Sequence, residues 1–419
     1  MRVPMKRRVA VTGIGLITPI GNGVEENLSS LTAGKSGIGP ITRFDCSQFP
    51  TKIAGEVKNF DPARWMSSRE ARSMGRFLQF AVAAAAEALA DSQLPARFDD
   101  EIAERVGCYV GSGFGGLDIL QHSYAAFLEK GAKFGFSPYT ISASLINLAP
   151  GRIAIRHNIR GPAFSHVSAC ATGAHCIGEA TRAIRWGVCD MVLAGGTEAA
   201  IESLAIGGFN AVRVLSTRND DPQAASRPFE RDRDGFVMAE GACILVLEEL
   251  EHARRRAAKI YAEIAGYGIS TDAYHITEPP PCGIGAQRCM ESALTDAQLN
   301  REQIGYINAH GTSTRFNDAT ETCAVKAVFG DHVKRVPISS TKSMTGHALG
   351  AAGAMEAAFS ALSLSTNTLF PTINYKNQDP ECDLDYVPNC ARHQEVNYVL
   401  SNSFGFGGTN ASLVLGRLN

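Results

Sequence analysis

The sequence predicts an α/β protein whose sheets are covered by helices on both faces, and three observations predict it. Short apolar runs recur along the chain, each followed by a helical stretch, the alternation that lays helices over a sheet. Two Ala-rich segments, 77–89 and 353–364, carry side chains that suit close packing inside the protein better than a solvated surface. The chain has 419 residues, more than the ~250–300 at which one core stops growing, so two core units are expected.

Taken in order, the candidate strands are 8–12, 106–110, 191–194, 244–247, 260–268, 306–308 and 397–400. The first run breaks at Gly13, Gly15 and Pro19, which reads as a buried strand and turn. The same glycines and the lack of a small-residue cleavage site argue against a signal peptide behind the basic start. The charged stretch 252–259 (HARRRAAK) is the best boundary, giving halves 1–259 and 260–419 of similar α/β grammar. No short-period repeat is visible.

The net charge is −2, from 40 basic and 42 acidic residues. There is no basic excess to hold nucleic acid phosphates. No apolar run approaches the ~20 residues of a membrane span. The 11 cysteines are scattered with no Cys-x-x-Cys pair, so they are expected to be reduced and mostly buried in a cytoplasmic protein. The mitochondrial matrix is the alternative if a transit peptide has been trimmed.

Four segments could carry chemistry. In VSACATGAHCIG a strand-like VSA leads into Cys170 and then a helix, the grammar of a nucleophile elbow. A Cys at a helix N-terminus gains thiolate character from the dipole. In YINAHGTSTRFNDATE a strand leads to His310, followed by Gly and hydroxyl residues; Thr312 and Thr314 alternate and can face one ligand. In VPISSTKSMTGHALGAAGAME, Lys342 and His347 sit in a hydroxyl- and Gly-rich loop that opens an Ala/Gly-rich helix. In LSNSFGFGGTN a strand is followed by a Gly-rich turn holding Phe404 and Phe406, able to present backbone N–H groups to an anion. Gly111–Gly116 (GSGFGG) imitates a dinucleotide loop, but it does not open the chain and no ribose-binding acid follows at the right distance.

Together, SACATGAH, NAHGTST, STKSMTGHALGAAGA and NSFGFGGTN resemble the β-ketoacyl-acyl carrier protein synthases of the thiolase superfamily, the elongating type II enzymes. The resemblance implies a thiolase-like five-layered αβαβα fold in two similar halves with mixed sheets, as a homodimer. It implies an acyltransferase that condenses acyl-ACP with malonyl-ACP to 3-oxoacyl-ACP, CO2 and free ACP in fatty acid elongation. It assigns Cys170 as nucleophile, His310, His347 and Lys342 as its catalytic partners, and the backbone N–H groups of Cys170 and Phe406 as oxyanion hole. Thr312 and Thr314 match pantetheine-binding hydroxyls, and Phe114, Phe209, Phe404 and Phe406 match pocket positions. Asp318 and Glu321 match supporting acids, and Asn308, Glu356 and Ser401 a structural Na+ or K+ site. No organic cofactor is implied, since phosphopantetheine arrives on the acyl carrier protein. That partner is acidic, and Arg69, Arg72 and Arg213 match its docking patch.

Some positions depart from the family pattern. Phe114 is bulkier than the residue common at the acyl-pocket floor, Arg315 and Phe316 replace Pro and a smaller residue, Gly75 replaces an acid, and Ala239 a Gly. These bear on chain length, not on reaction class. Three other readings compete: a polyketide-type condensing enzyme, a non-catalytic chain-length factor, which Cys170 argues against, and a Cys-His hydrolase, which leaves His347 unexplained.

Overall fold

The computed structural model describes residues 7–133 and 135–418; the basic start, residues 1–6, lies outside them. Its main feature is an 11-stranded sheet. The strands are β1 (Val9–Thr18), β2 (Val106–Gly111), β3 (Ala163–Phe164), β4 (Met191–Glu198), β5 (Gly241–Glu249), β6 (Ala262–Thr271), β7 (Tyr306–Asn308), β8 (Ile338–Ser339), β9 (Tyr398–Gly405) and β10 (Thr409–Gly416). They lie in the order β8-β7-β9-β10-β6-β1-β5-β4-β2-β3, with Gly21–Asn22 folding back on β1.

The order is a repeat. From the seam outward, β1 is antiparallel to β5, β5 antiparallel to β4, β4 parallel to β2 and β2 parallel to β3. In the other direction, β6 is antiparallel to β10, β10 antiparallel to β9, β9 parallel to β7 and β7 parallel to β8. Each half therefore takes its strands in the order first, fifth, fourth, second, third. The halves join where β1 pairs β6 through Ala10↔Glu263 and Val11↔Ala262 alone.

Helices make the remaining layers: α1 (Arg76–Asp91), α2 (Leu117–Lys130), α3 (Thr172–Arg185), α4 (Ile284–Ala297), α5 (Arg315–Phe329) and α6 (Ala352–Thr366). α3 and α6 pack on each other and on strands of both halves, forming the middle layer. α1 covers the outer face of the first half; α4 and α5 cover that of the second. α6 is buried almost throughout because Ala and Gly let it approach both halves of the sheet. Each central helix begins with a three-residue 3-10 turn, Ala169–Ala171 before α3 and Leu349–Ala351 before α6. The first residue of each turn is left-handed, with φ 49° at Ala169 and φ 46° at Leu349.

The strands outrun the apolar runs that suggested them. β1 continues through Gly13 and Gly15, which are points of close approach and not a turn. A Cβ on Gly15 would lie 1.8 Å from the Ala84 carbonyl oxygen, and one on Gly13 2.3 Å from that of Ala88, so α1 rests directly on the strand. Gly15→Ala is therefore expected to cost about 3 kcal/mol, read as a lowered midpoint of denaturant unfolding; an unchanged midpoint would contradict this packing. β9 likewise runs to Gly405, so Phe404 belongs to the strand and only Phe406 to the turn. β10 pairs β9 and β6, a strand that the apolar-run reading passed over. Among the described residues no helix is long and apolar enough to cross a membrane.

Candidate active site

The motifs converge where the two 3-10 turns meet the ends of the central strands. VSA is not a strand: Ser168 is irregular, and Cys170 sits inside the 3-10 turn behind the left-handed Ala169. The backbone, not a strand end, presents the thiol. β7 ends at Asn308, and His310 follows in the loop to α5. Lys342 opens a short buried helix, Lys342–Thr345, and His347 lies between that helix and the second 3-10 turn.

His347 Nε2 stands 3.0 Å from Cys170 Sγ. The donor atoms of Cys170, His310 and His347 all lie within 4.8 Å of one another. The His310 and His347 rings meet edge to face at 5.4 Å. Lys342 Nζ donates to the His310 carbonyl at 2.6 Å and faces His310 Nδ1 at 3.4 Å. An ammonium has only donors, so His310 Nδ1 is the acceptor and its Nε2 carries the proton. Lys342 also forms a buried ion pair with Glu356.

Burial sets the charge states. It pushes the Cys170 thiol up to about 12, against the pull of the Lys342 charge and the Phe406 backbone N–H. The helix-terminus expectation of a lowered thiol pKa is thus corrected: desolvation outweighs the dipole and the thiol stays protonated. Burial, then the Lys342 charge, holds both His310 and His347 well below the usual histidine range, so both are neutral.

A second tier fixes this set. Glu321 accepts the His310 and Gly311 backbone N–H groups at 2.9 and 2.8 Å, and burial pushes it up to about 7. Asp318 accepts the Phe229 N–H at 2.8 Å and lies 3.6 Å from Arg233, one tier further out. Asn308 and Ser401 are neighbours in register across β7 and β9. Both side-chain polar atoms of Asn308 and Glu356 Oε2 are buried with no hydrogen-bond partner.

A cavity of about 720 Å³ opens onto the three reactive groups. Thr312 and Thr314 line it, their hydroxyls 3.0 Å apart. Phe114, Phe209, Phe404 and Phe406 line it too. The Phe209 ring contacts those of Phe114, Phe236 and Phe406. Phe236 in turn packs edge-on against His347 at 5.4 Å, and Phe404 lies 5.7 Å from the His310 ring. Arg213, Arg315 and Phe316 stand on the rim. Arg69 and Arg72 are exposed but belong to a separate short helix, Ser68–Ala71, and its cap. Arg152, which donates to the Ser73 carbonyl, and Arg156, which pairs with Glu70, adjoin that helix. Gly75 allows a close crossing: its Cβ would lie 2.6 Å from the Ala143 carbonyl oxygen.

The cysteine expectation needs one correction. Cys282 and Cys323 form a disulfide with Cα atoms 5.1 Å apart, inside bridging range. They lie 41 residues apart in sequence, and only the docking of a loop on α5 brings them together. Sequence reasoning also passed over Phe236 and Glu198. The signal for Glu198 was present: an acid closing the strand that starts MVLAGG, at the end where α/β sheets hold ligands.

Residues 6–253 match the family described as Beta-ketoacyl synthase, N-terminal domain, and residues 261–376 match Beta-ketoacyl synthase, C-terminal domain. The chain is 51% identical over 413 residues to the 3-oxoacyl-[acyl-carrier-protein] synthase 2 of Coxiella burnetii, covering 99% of each. It also resembles the solved ishigamide ketosynthase/chain length factor, with TM-score 0.92, 38% identity and coverage of 99% of this chain and 100% of that one. A type II polyketide ketosynthase in complex with its acyl-carrier protein aligns with TM-score 0.89 and 36% identity over 99% of this chain and 100% of that one.

Proposed function

The chain belongs to the β-ketoacyl synthase family and condenses acyl-ACP with malonyl-ACP, with loss of CO2, to 3-oxoacyl-ACP; we propose that Cys170 holds the acyl group while His310 and His347 drive the carbon–carbon step. The observation that carries this assignment is the 3.0 Å contact of His347 Nε2 with a buried, protonated Cys170 thiol, with Lys342 setting the His310 tautomer beside it. Identity of 51% to a 3-oxoacyl-[acyl-carrier-protein] synthase 2, against 38% to the ishigamide ketosynthase/chain length factor and 36% to the type II PKS ketosynthase, favours elongation of ordinary acyl chains.

The steps follow from charge. A thiol pushed up to about 12 cannot wait as thiolate, so Sγ–H gives its proton to neutral His347 as it attacks the acyl thioester. The pantetheine thiol leaves with a proton, and the acyl group stays on Cys170. In this reading the backbone N–H groups of Cys170 and Phe406 stabilise the oxygen that becomes negative. Malonyl-ACP then enters past Thr312 and Thr314. As CO2 leaves, the enolate oxygen gains charge beside His310 Nε2–H and His347. The enolate carbon attacks the acyl carbonyl and expels Sγ, which takes up a proton from water to restore the thiol, leaving a chain two carbons longer.

Arg213 at the rim and Arg69 and Arg72 beyond it offer an acidic carrier protein a docking surface. The orphaned oxygens of Asn308 and Glu356, with Ser401, suit a hard monovalent cation, Na+ or K+. No cofactor chemistry enters the steps. A homodimer is supported by the exposed apolar side chains of Tyr124, Leu128, Phe136 and Ile141 and by the open edge strand β3. The named relative is bacterial, and the proposed compartment is the cytoplasm.

The test is a mass-spectrometric assay with malonyl-ACP and a panel of acyl-ACPs. Products two carbons longer are expected. Hydrolysed acyl chains with no extension would overturn the reading in favour of a hydrolase.

The site also predicts a pH dependence. The folded-state pKa of Glu321, about 7, lies above its ordinary 4.5. Charging Glu321 therefore works against the fold as pH rises from about 4.5 to about 7, and protonating it does not destabilise the protein. Protonation does remove an acceptor from the His310 and Gly311 amides. We expect kcat to fall as pH drops through about 7 while the melting temperature does not fall, and Glu321→Gln to give a lower, flatter profile. A wild-type profile flat from pH 6 to 8 would contradict this.

A further inference from the structure

Glu198, the last residue of β4, is wholly buried, yet every group bonded to it is a neutral donor. Oε1 accepts from Ser112 Oγ at 2.8 Å and Phe114 N at 3.1 Å; Oε2 accepts from Gly113 N at 2.7 Å and Gly350 N at 3.0 Å. A carboxyl group can accept at both oxygens, a carboxamide at only one. A glutamine amide, flipped either way, would press an NH2 against a backbone N–H: that of Phe114 on one side, those of Gly113 and Gly350 on the other. An apolar residue would avoid burying a charge and would free both turns.

The bonded groups belong to two cavity walls. Gly113 and Phe114 form a turn of the first half that lines the acyl cavity, and Gly350 follows Leu349, which lines it from the second half. The turns touch: a Cβ on Gly350 would lie 2.5 Å from Gly113 N, and a Cβ on Gly113 2.7 Å from Glu198 Oε2. The Phe114 ring, by contrast, is loosely held. It is 41% exposed and meets Phe209 edge-on at 6.0 Å. The ring's place is therefore set by its backbone, and its backbone by Glu198.

We propose that Glu198 is a positioning residue for chain length: by bonding the Ser112–Phe114 turn to Gly350, it fixes Phe114 as the stop against which the acyl chain ends. The proposal rests on the condensing reaction above and adds a determinant of which acyl chains it accepts.

The experiment measures kcat/KM for condensation across C4 to C16 acyl-ACPs in wild type, Glu198→Gln, Ser112→Ala, Phe114→Ala and the Glu198→Gln/Phe114→Ala double variant. Phe114→Ala and Glu198→Gln are each expected to raise the C14-to-C6 ratio about ten-fold (about 1.4 kcal/mol of discrimination), and Ser112→Ala to raise it less. The double variant should go no further than Phe114→Ala, since both act through one ring. A uniform loss of activity with the ratio unchanged would overturn the proposal, as would full additivity in the double variant. If Glu198→Gln does not fold, the ratio in Ser112→Ala decides. Failure of wild type to extend any chain would instead refute the condensing reaction.

Discussion

Cys170→Ala is expected to abolish condensation, with a loss on the order of 10⁴-fold or more, as when a covalent nucleophile is removed from other acyl-transfer enzymes. Intact mass after incubation with acyl-ACP should show an acyl adduct on wild type and none on the variant. The size of the effect follows from the site's economy: among the described residues, no second thiol joins Cys170 beside His310 and His347, and water has no acyl intermediate to offer. The variant should still release CO2 from malonyl-ACP, because the groups that face the enolate do not include Sγ. An acyl adduct or extended product from Cys170→Ala would remove this residue from the mechanism.

His310→Ala divides the reaction the other way. His310 does not contact Sγ in the way His347 does, and Lys342 at its Nδ1 commits its Nε2 to donating. Acyl-Cys170 should form at near the wild-type rate. Decarboxylation and condensation should fall by roughly 10²–10³-fold, the effect of removing one donor from a developing oxyanion. Single-turnover assays separate the two: adduct by intact mass, CO2 by release of label. Loss of the adduct with decarboxylation intact would exchange the roles of the two histidines.

How much of this was legible in the sequence varied with the range of the interaction. The strand at 306–308 stands where the apolar run placed it, because a short run bounded by turn residues has few other options. The four motifs were legible because each concentrates Gly, hydroxyl and reactive residues in one stretch, and the structure brings all four to one cavity. The Cys170 charge state was misread because local grammar shows a helix terminus but not the depth of burial that outweighs it. The Cys282–Cys323 bridge and the Glu198 bonds to Gly350 join segments distant in sequence, and no local pattern encodes such pairings. Gly13 and Gly15 looked like punctuation because nothing nearby in sequence reveals the helix that crosses them.

The repeat in the sheet carries a consequence for descent. Each half turns its chain through a left-handed residue into a central helix, and the matching positions are Ala169-Cys170-Ala171 and Leu349-Gly350-Ala351. Two such turns, alike in shape, are what a doubled ancestral gene would leave. One copy then holds the sulfur, while in the other the equivalent slot has lost its side chain and bonds Glu198 through its backbone instead. Histidines from the second copy serve the cysteine of the first, so neither copy could now perform the reaction alone. Duplication here divided the chemistry: the nucleophile stayed in one half and its histidine and lysine partners in the other.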